Sequence, residues 1–170
     1  MKSHVSPSQH SVINFNPSSN DKMSIPRLHA RDLNGNNWGI PHDLPANKTL
    51  LLFVFKREQQ SLIDSWIDGL GLRASENKIA WIEIPLLQKP WKILSSWIDQ
   101  RMKRGITNHD LRGHVWTIYT NRGSFLKNIG LNSSDSICVL VVRKDGSVLS
   151  SASGEYSKSS AELILKELQN

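Results

Sequence analysis

Leu50 to Phe55 are six consecutive apolar residues, and immediately after them the chain changes period. The run is far too short to cross a membrane and lacks the polar alternation of a half-exposed strand, so it reads as a central strand covered on both faces. From Glu58 onward the spacing turns helical. Leu62, Ile63, Trp66, Ile67 and Leu70 fall on one face, and Gly69 and Gly71 supply stop signals. A doubly buried strand that feeds straight into an amphipathic helix points to a layered α/β fold.

The rest of the chain repeats the alternation. Residues 79–86, IAWIEIPL, read as a second strand, with Pro85 near its end where a missing N–H is tolerable. Pro90 suits the first turn of a helix with Leu94, Trp97, Ile98 and Met102 as its stripe and Gly105 as its stop. Residues 114–120, HVWTIYT, are β-branched and aromatic enough for a third strand. Gly123 to Ile129 then predict a short helix burying Phe125, Leu126 and Ile129, capped by Gly130. Ile137 to Val142 form another apolar run, Lys144-Asp145-Gly146 a hairpin turn, and Ser147 to Ser153 the returning strand. Ser159 and Glu162 match a capping box ahead of a helix with Ala161, Ile164, Leu165 and Leu168 on its inner face. Upstream, Pro26, Asn34-Gly35, Gly39, Pro41 and Pro45 break residues 26–48 into short extended pieces, with a small hairpin or edge strand around His29 to Gly35. The expected fold is α/β: a mixed sheet of parallel core strands plus a C-terminal antiparallel hairpin, with helices on both faces.

Length and composition set the limits. The 170 residues suit one domain, and the lowish 38% hydrophobic content reflects the start of the chain. Residues 1–24 are rich in Ser, Asn, His and Pro without periodicity, which predicts a disordered extension ahead of a domain at 25–170, with Met23 as an alternative start. No run there resembles a secretory signal or membrane anchor. Lys and Arg outnumber acids 21 to 15, giving net charge +6, which permits acidic proteins, phospholipid or nucleic acid as partners and specifies none. Cys138 is the only cysteine, so no internal disulfide forms. That fits a reducing, cytoplasmic setting, with peripheral membrane association left open by the basic surface.

The order of elements, with the extra strand and short helix at 114–130 before the hairpin, resembles the thioredoxin-like superfamily in its peroxiredoxin and TlpA-type form, over roughly residues 26–168. Three stretches look closest to a cysteine-free branch that includes the mitochondrial assembly factor for the membrane sector of ATP synthase and its bacterial relatives. These are Phe55-Lys56-Arg57-Glu58-Gln59-Gln60 with Ser65-Trp66, then Arg112 to Tyr119 with Phe125 to Leu131, then Val139 to Val148. The resemblance implies a thioredoxin-like mixed sheet and a non-redox, chaperone-like or assembly role. It also locates the strand–helix junction, where such proteins keep their reactive cysteine, at Lys56 to Ser61. The superfamily's usual proline before the penultimate strand is replaced by Ser136-Ile137.

Candidate sites follow. A catalytic thiol needs its anion stabilised, and the junction offers Glu58 and Ser61 near the two usual cysteine positions. Cys138, mid-run in a central strand, reads as a core residue whose burial raises its pKa. No catalytic residue, metal or cofactor is therefore assigned, and a thiol oxidoreductase or peroxidase using Cys138 is the rival reading. Arg57, Glu58, Gln59 and Gln60 lie where the strand emits the helix, a place suited to an acidic or amide-bearing group on a partner protein or to a small anionic ligand. On the bland alternative, Arg57 pairs with a neighbouring carboxylate and the glutamines cap the helix. The resemblance suggests that Arg112 reaches the same mouth. Trp38, in a Gly/Asn-rich stretch, is read as an exposed anchor for a partner. His109, Asp110 and His114 share one loop but lack further ligands at metal-site spacing, and read as solvated polar residues. Arg101, Lys103 and Arg104 suit a helix carboxyl terminus. No nucleic-acid motif is present. Trp66, Trp81, Trp91 and Trp97 read as core.

Overall fold

The apolar run becomes the centre of a sheet. The computed structural model describes residues 23–87, 109–131 and 133–170. Its strands are β1 (Leu28–Asp32), β2 (Asn37–Ile40), β3 (Lys48–Val54), β4 (Trp81–Leu87), β5 (Trp116–Tyr119), β6 (Cys138–Arg143) and β7 (Val148–Ser153). They form one seven-stranded sheet in the order β2-β1-β5-β4-β3-β6-β7. β3 pairs parallel with β4, and β4 with β5, while both flanks are antiparallel. The expected C-terminal hairpin is β6–β7, and the expected lead-in hairpin is β1–β2.

Alternation along β3 splits the core between two faces. Leu50, Leu52 and Val54 meet α1 (Gln60–Gly69) and α4 (Lys158–Gln169) through Ile63, Trp66, Ile67, Ala161 and Ile164. Leu51 and Phe53 face the other way, where α3 (Arg122–Asn128) contributes Phe125 and Leu126 and the chain adds Ile129. Helices thus cover both faces. Each large side chain fully buried here stabilises the fold by about 1.5–3 kcal/mol. Trp66 is also fixed by polar geometry: its Nε1 donates to Gly154 O at 2.9 Å and its ring meets Tyr156 edge-on at 5.5 Å.

Several expectations need correction. Pro85 lies inside a central strand, paired with Val54, and β4 continues to Leu87. The Glu83 N–H donates to His114 O at 2.7 Å across the β4–β5 gap, so an N–H two residues on would face the same way. Pro85 has none, and the ladder is broken there into a Glu83–Val115 bridge and the Leu86–Ile118 and Leu87–Tyr119 pairs. The last helix is capped two residues earlier than the S-x-x-E pattern suggests. Ser157 is extended, at φ −140° and ψ 155°, and its hydroxyl accepts from the Ser160 N–H. At the start of the first described segment, Ser24 bridges Ser147, and Met23 O accepts from the Val148 N–H at 3.0 Å. His109 and Asp110 belong to a short helix, α2 (His109–Gly113), instead of a loop. The expected helix from Pro90 to Gly105, with Trp91, Trp97 and the Arg101–Arg104 cations, lies outside the described residues, as do residues 1–22.

At the margin of the sheet, Gly39 of β2 has both outward backbone groups engaged. The Gly39 N–H donates to Asp43 Oδ2 at 2.7 Å, and Gly39 O accepts from the Asp43 N–H at 2.8 Å.

Candidate functional site

The carboxyl ends of β3 and β5 open onto one mouth, bounded by Phe55–Gln60, by the start of α3 and by the segment before β6. Parallel strands place their outgoing loops together in this way, which is why such ends carry function disproportionately. Gln59 closes the mouth. It is only 5% exposed, its Oε1 accepts from the Phe55 and Lys56 N–H groups at 3.0 and 3.1 Å, and its Nε2 donates to Ser134 O at 2.6 Å. One neutral side chain thereby ties the strand exit to a loop 75 residues away. Gln60 points inward too. Its Nε2 donates to Glu83 Oε1 at 2.7 Å and to Asp64 Oδ1 at 3.2 Å. Glu83 is 1% exposed in the central strand β4, so this amide helps satisfy a buried carboxyl group.

The outward-facing residues at the mouth are charged. Arg57 and Glu58 are exposed. Lys56 Nζ lies 3.0 Å from Asp135 Oδ1, both partners being open to solvent, so the pair is screened. Hydrogen bonds from Ser133 and Lys56, with the Lys56 charge, hold the Asp135 carboxyl below its ordinary value. Arg122 donates from Nη1 to Phe55 O at 3.3 Å.

Of the residues singled out in the sequence, Arg57, Glu58, Gln59 and Gln60 do share one junction, but the glutamines are structural ties and only Arg57 and Glu58 face out. Arg112 is placed elsewhere. It sits in α2 at the amino end of β5, where Val115 is level with Glu83 and Leu52. The mouth begins at Lys56, roughly 13 Å further along at 3.3 Å per residue. Trp38 is not in a loop but in β2. Its ring stacks on Trp116 with centroids 5.0 Å apart and planes 2° from parallel, and its Nε1 donates to Asp32 Oδ2 at 2.9 Å. Asp32, 5% exposed, accepts in addition from the Asn34 and Asn36 N–H groups and from Asn36 Nδ2. Burial pushes its carboxyl up, and the bonds from Trp38, Asn36 and Asn34 more than offset this, leaving it below its ordinary value. His114 does not join His109. It stacks on Trp81 at 4.2 Å with Nδ1 2.8 Å from Trp81 O, while His109 is exposed. No group of three or more metal-ligating side chains converges among the described residues.

Cys138 opens β6 opposite Phe53, on the face that holds α3 and away from α1. It is 3% exposed, and burial pushes the thiol up to about 12, so it is protonated at neutral pH. Sequence reasoning missed Arg122, Ser134, Asp135 and Glu83. The first has a readable signal, since it opens the helix that follows a parallel strand after two residues.

No protein-family profile matches this sequence. No curated protein matches it. Solved structures do. The chain is similar to the exposed lipoprotein thioredoxin Etrx1 of Streptococcus pneumoniae, at 14% identity, covering 84% of this chain and 100% of that one with TM-score 0.54. The fold is thioredoxin-like. Similarity extends to BsSco, a member of the Sco family of cytochrome c oxidase assembly proteins, at 12% identity over 87% of this chain and 92% of that one, TM-score 0.59. Yeast Sco1 gives 12%, 86%, 95% and 0.58 for the same measures. Identities this low establish the thioredoxin-like frame and leave activity to the residues. No described helix is long and apolar enough to cross a membrane.

Proposed function

We propose that this chain is a redox-inactive thioredoxin-like protein that binds another protein at the mouth, as a cytoplasmic assembly or chaperone-like accessory factor. One observation carries the reading: the junction that positions a sulfur nucleophile in redox relatives is spanned by Gln59, whose amide is spent on two N–H groups and Ser134 O. An amide so engaged neither attacks nor exchanges a bond. Around it stand Lys56, Arg57, Glu58 and Arg122, residue types that recognise charged groups on a partner. The buried, protonated Cys138 supports the same reading. Sco proteins among the similar structures lend a direction, since their family assembles cytochrome c oxidase. Yeast Sco1 has been seen with copper bound. Copper favours thiolate and imidazole donors, which the mouth of this chain does not offer, so its residues do not fit such a centre.

Insulin-reduction and peroxide-consumption assays on the wild type and Cys138→Ala test the redox half. The expected result is no turnover above the uncatalysed background for either; cysteine-dependent turnover overturns the reading. Affinity capture from the native cell with wild type and Arg57→Ala tests the docking half, with loss of the captured partner expected. The three cations Lys56, Arg57 and Arg122 also favour a small anion as occupant. In that case phosphate or dicarboxylates raise the melting temperature and Arg57→Ala abolishes the shift.

A further inference from the structure

Away from the mouth, the first hairpin carries open positive charge. Alternate residues of β1 and its approach face outward, and Arg27, His29 and Arg31 are all exposed. Among the described residues neither guanidinium has a hydrogen-bond or ion-pair partner. The register that pairs Ala30 with Ile118 and Arg31 with Thr117 sets His29 level with Tyr119, a residue 39% exposed. Arg31 pairs with Thr117, two residues before Tyr119, so the Arg31 and Tyr119 side chains lie on one face; burial raises the Tyr119 phenol and the Arg31 charge pulls it back. Arg27 and His29 also line a shallow open cleft with Leu28, Trp38, His42 and Asp43. Asp43 is the one acid there, and its carboxylate is engaged by the Gly39 N–H at 2.7 Å and lies 3.6 Å from His42.

We propose that this face docks an extended acidic segment of a partner protein, with carboxylates four residues apart seated on Arg27 and Arg31. The site is separate from the mouth and stands independently of it. Arg27 and Arg31, four residues apart, are spaced by ~13 Å along an extended chain, the same distance that separates side chains four residues apart on one side of an extended peptide. Guanidinium forks take carboxylates bidentately, and an exposed tyrosine adds rigid contact area at small entropic cost. A single-stranded nucleic acid asks for successive aromatic platforms, one per base, and among the described residues this face presents Tyr119 alone. The segment lies across the face instead of extending the sheet, because Asp43 already takes the outward groups of Gly39.

The test is fluorescence anisotropy of the full chain with a fluorescein-labelled peptide of alternating Glu and Thr. Its Gln-for-Glu counterpart and a thymidine oligonucleotide of matched charge complete the set. The Glu peptide is expected to bind and the Gln peptide not. An Arg27→Ser/Arg31→Ser double variant should weaken binding about tenfold or more. Arg27→Lys/Arg31→Lys should retain part of it, and Arg57→Ser all of it. Matching thermal melts for wild type and both double variants keep a loss of binding distinct from unfolding. Equal binding of the two peptides, indifference to the serine double variant, or tighter binding of the oligonucleotide through the same arginines each overturns the proposal. A failure of the mouth reading appears instead in Arg57→Ala capture.

Discussion

Two buried side chains each organise a turn by accepting backbone N–H groups, and they differ in charge and reach. Asp32 accepts four hydrogen bonds, all from Asn34, Asn36 and Trp38, within six residues of itself. Gln59 accepts two from its own strand exit and gives one to Ser134, far along the chain. The charged hub is local and tied to pH. The neutral hub is long-range and indifferent to pH. In this molecule the charged hub holds a hairpin, and the neutral hub holds the junction between β3 and α1.

The comparison breaks most visibly at Asp32. Asp32→Ala strands its donors, Trp38 among them, and should cost about 3 kcal/mol, near 6–12 °C of melting temperature at this chain length. Equilibrium denaturation followed by tryptophan fluorescence checks it. Gln59→Ala leaves the buried Phe55 N–H and Ser134 O without partners and should cost about 2 kcal/mol. Replacing that amide by an acid sharpens the contrast. In Gln59→Glu an ionised carboxylate faces Ser134 O, whereas a protonated one donates to it. The folded-state pKa is therefore raised, and stability is highest below the ordinary glutamate value and lost as pH rises through the folded value. Wild-type Asp32 runs the opposite way. Its lowered pKa gives stability present above the ordinary value of 3.8 and lost as pH falls through the folded value, and Asp32→Asn should flatten that acid limb. Asp135 and Asp145, also lowered but exposed, leave a residual slope that salt suppresses. Among the smallest effects, Cys138→Ala should cost about 1 kcal/mol, and the native thiol should resist a thiol-specific reagent until denaturant is added. Lys56→Ala should leave stability unchanged within error, since its pair with Asp135 is open to solvent.

What the sequence made legible was periodic or local. The Leu50–Phe55 run, the helical face of Ile63, Trp66 and Ile67, and the Phe125–Ile129 helix stand as patterns because burial selects apolar residues at fixed spacing. Glycine marks the turns, as at Gly146, with φ +93° in the β6–β7 turn. The mouth was legible as a place and not as a mechanism. Gln59 and Gln60 look solvent-facing in a polar stretch, and only their partners, 75 and 23 residues away, reveal them as internal ties. Trp38 misled because Asn and Gly neighbours suggest a loop, while its stacking partner Trp116 lies two strands away in the sheet. The Ser157 cap was hidden in a serine-rich run where several hydroxyls compete for the same N–H groups.

Asp43 has a consequence for how copies of this chain meet. An uncovered border strand is a template on which further chains stack into fibrils, and natural sheets blunt it with charge. By occupying both outward groups of Gly39, Asp43 denies that template at the β2 side. Association by strand addition is thereby steered away from the β1–β2 hairpin, and the arginine face beside it stays accessible at concentrations where a bare border would invite aggregation.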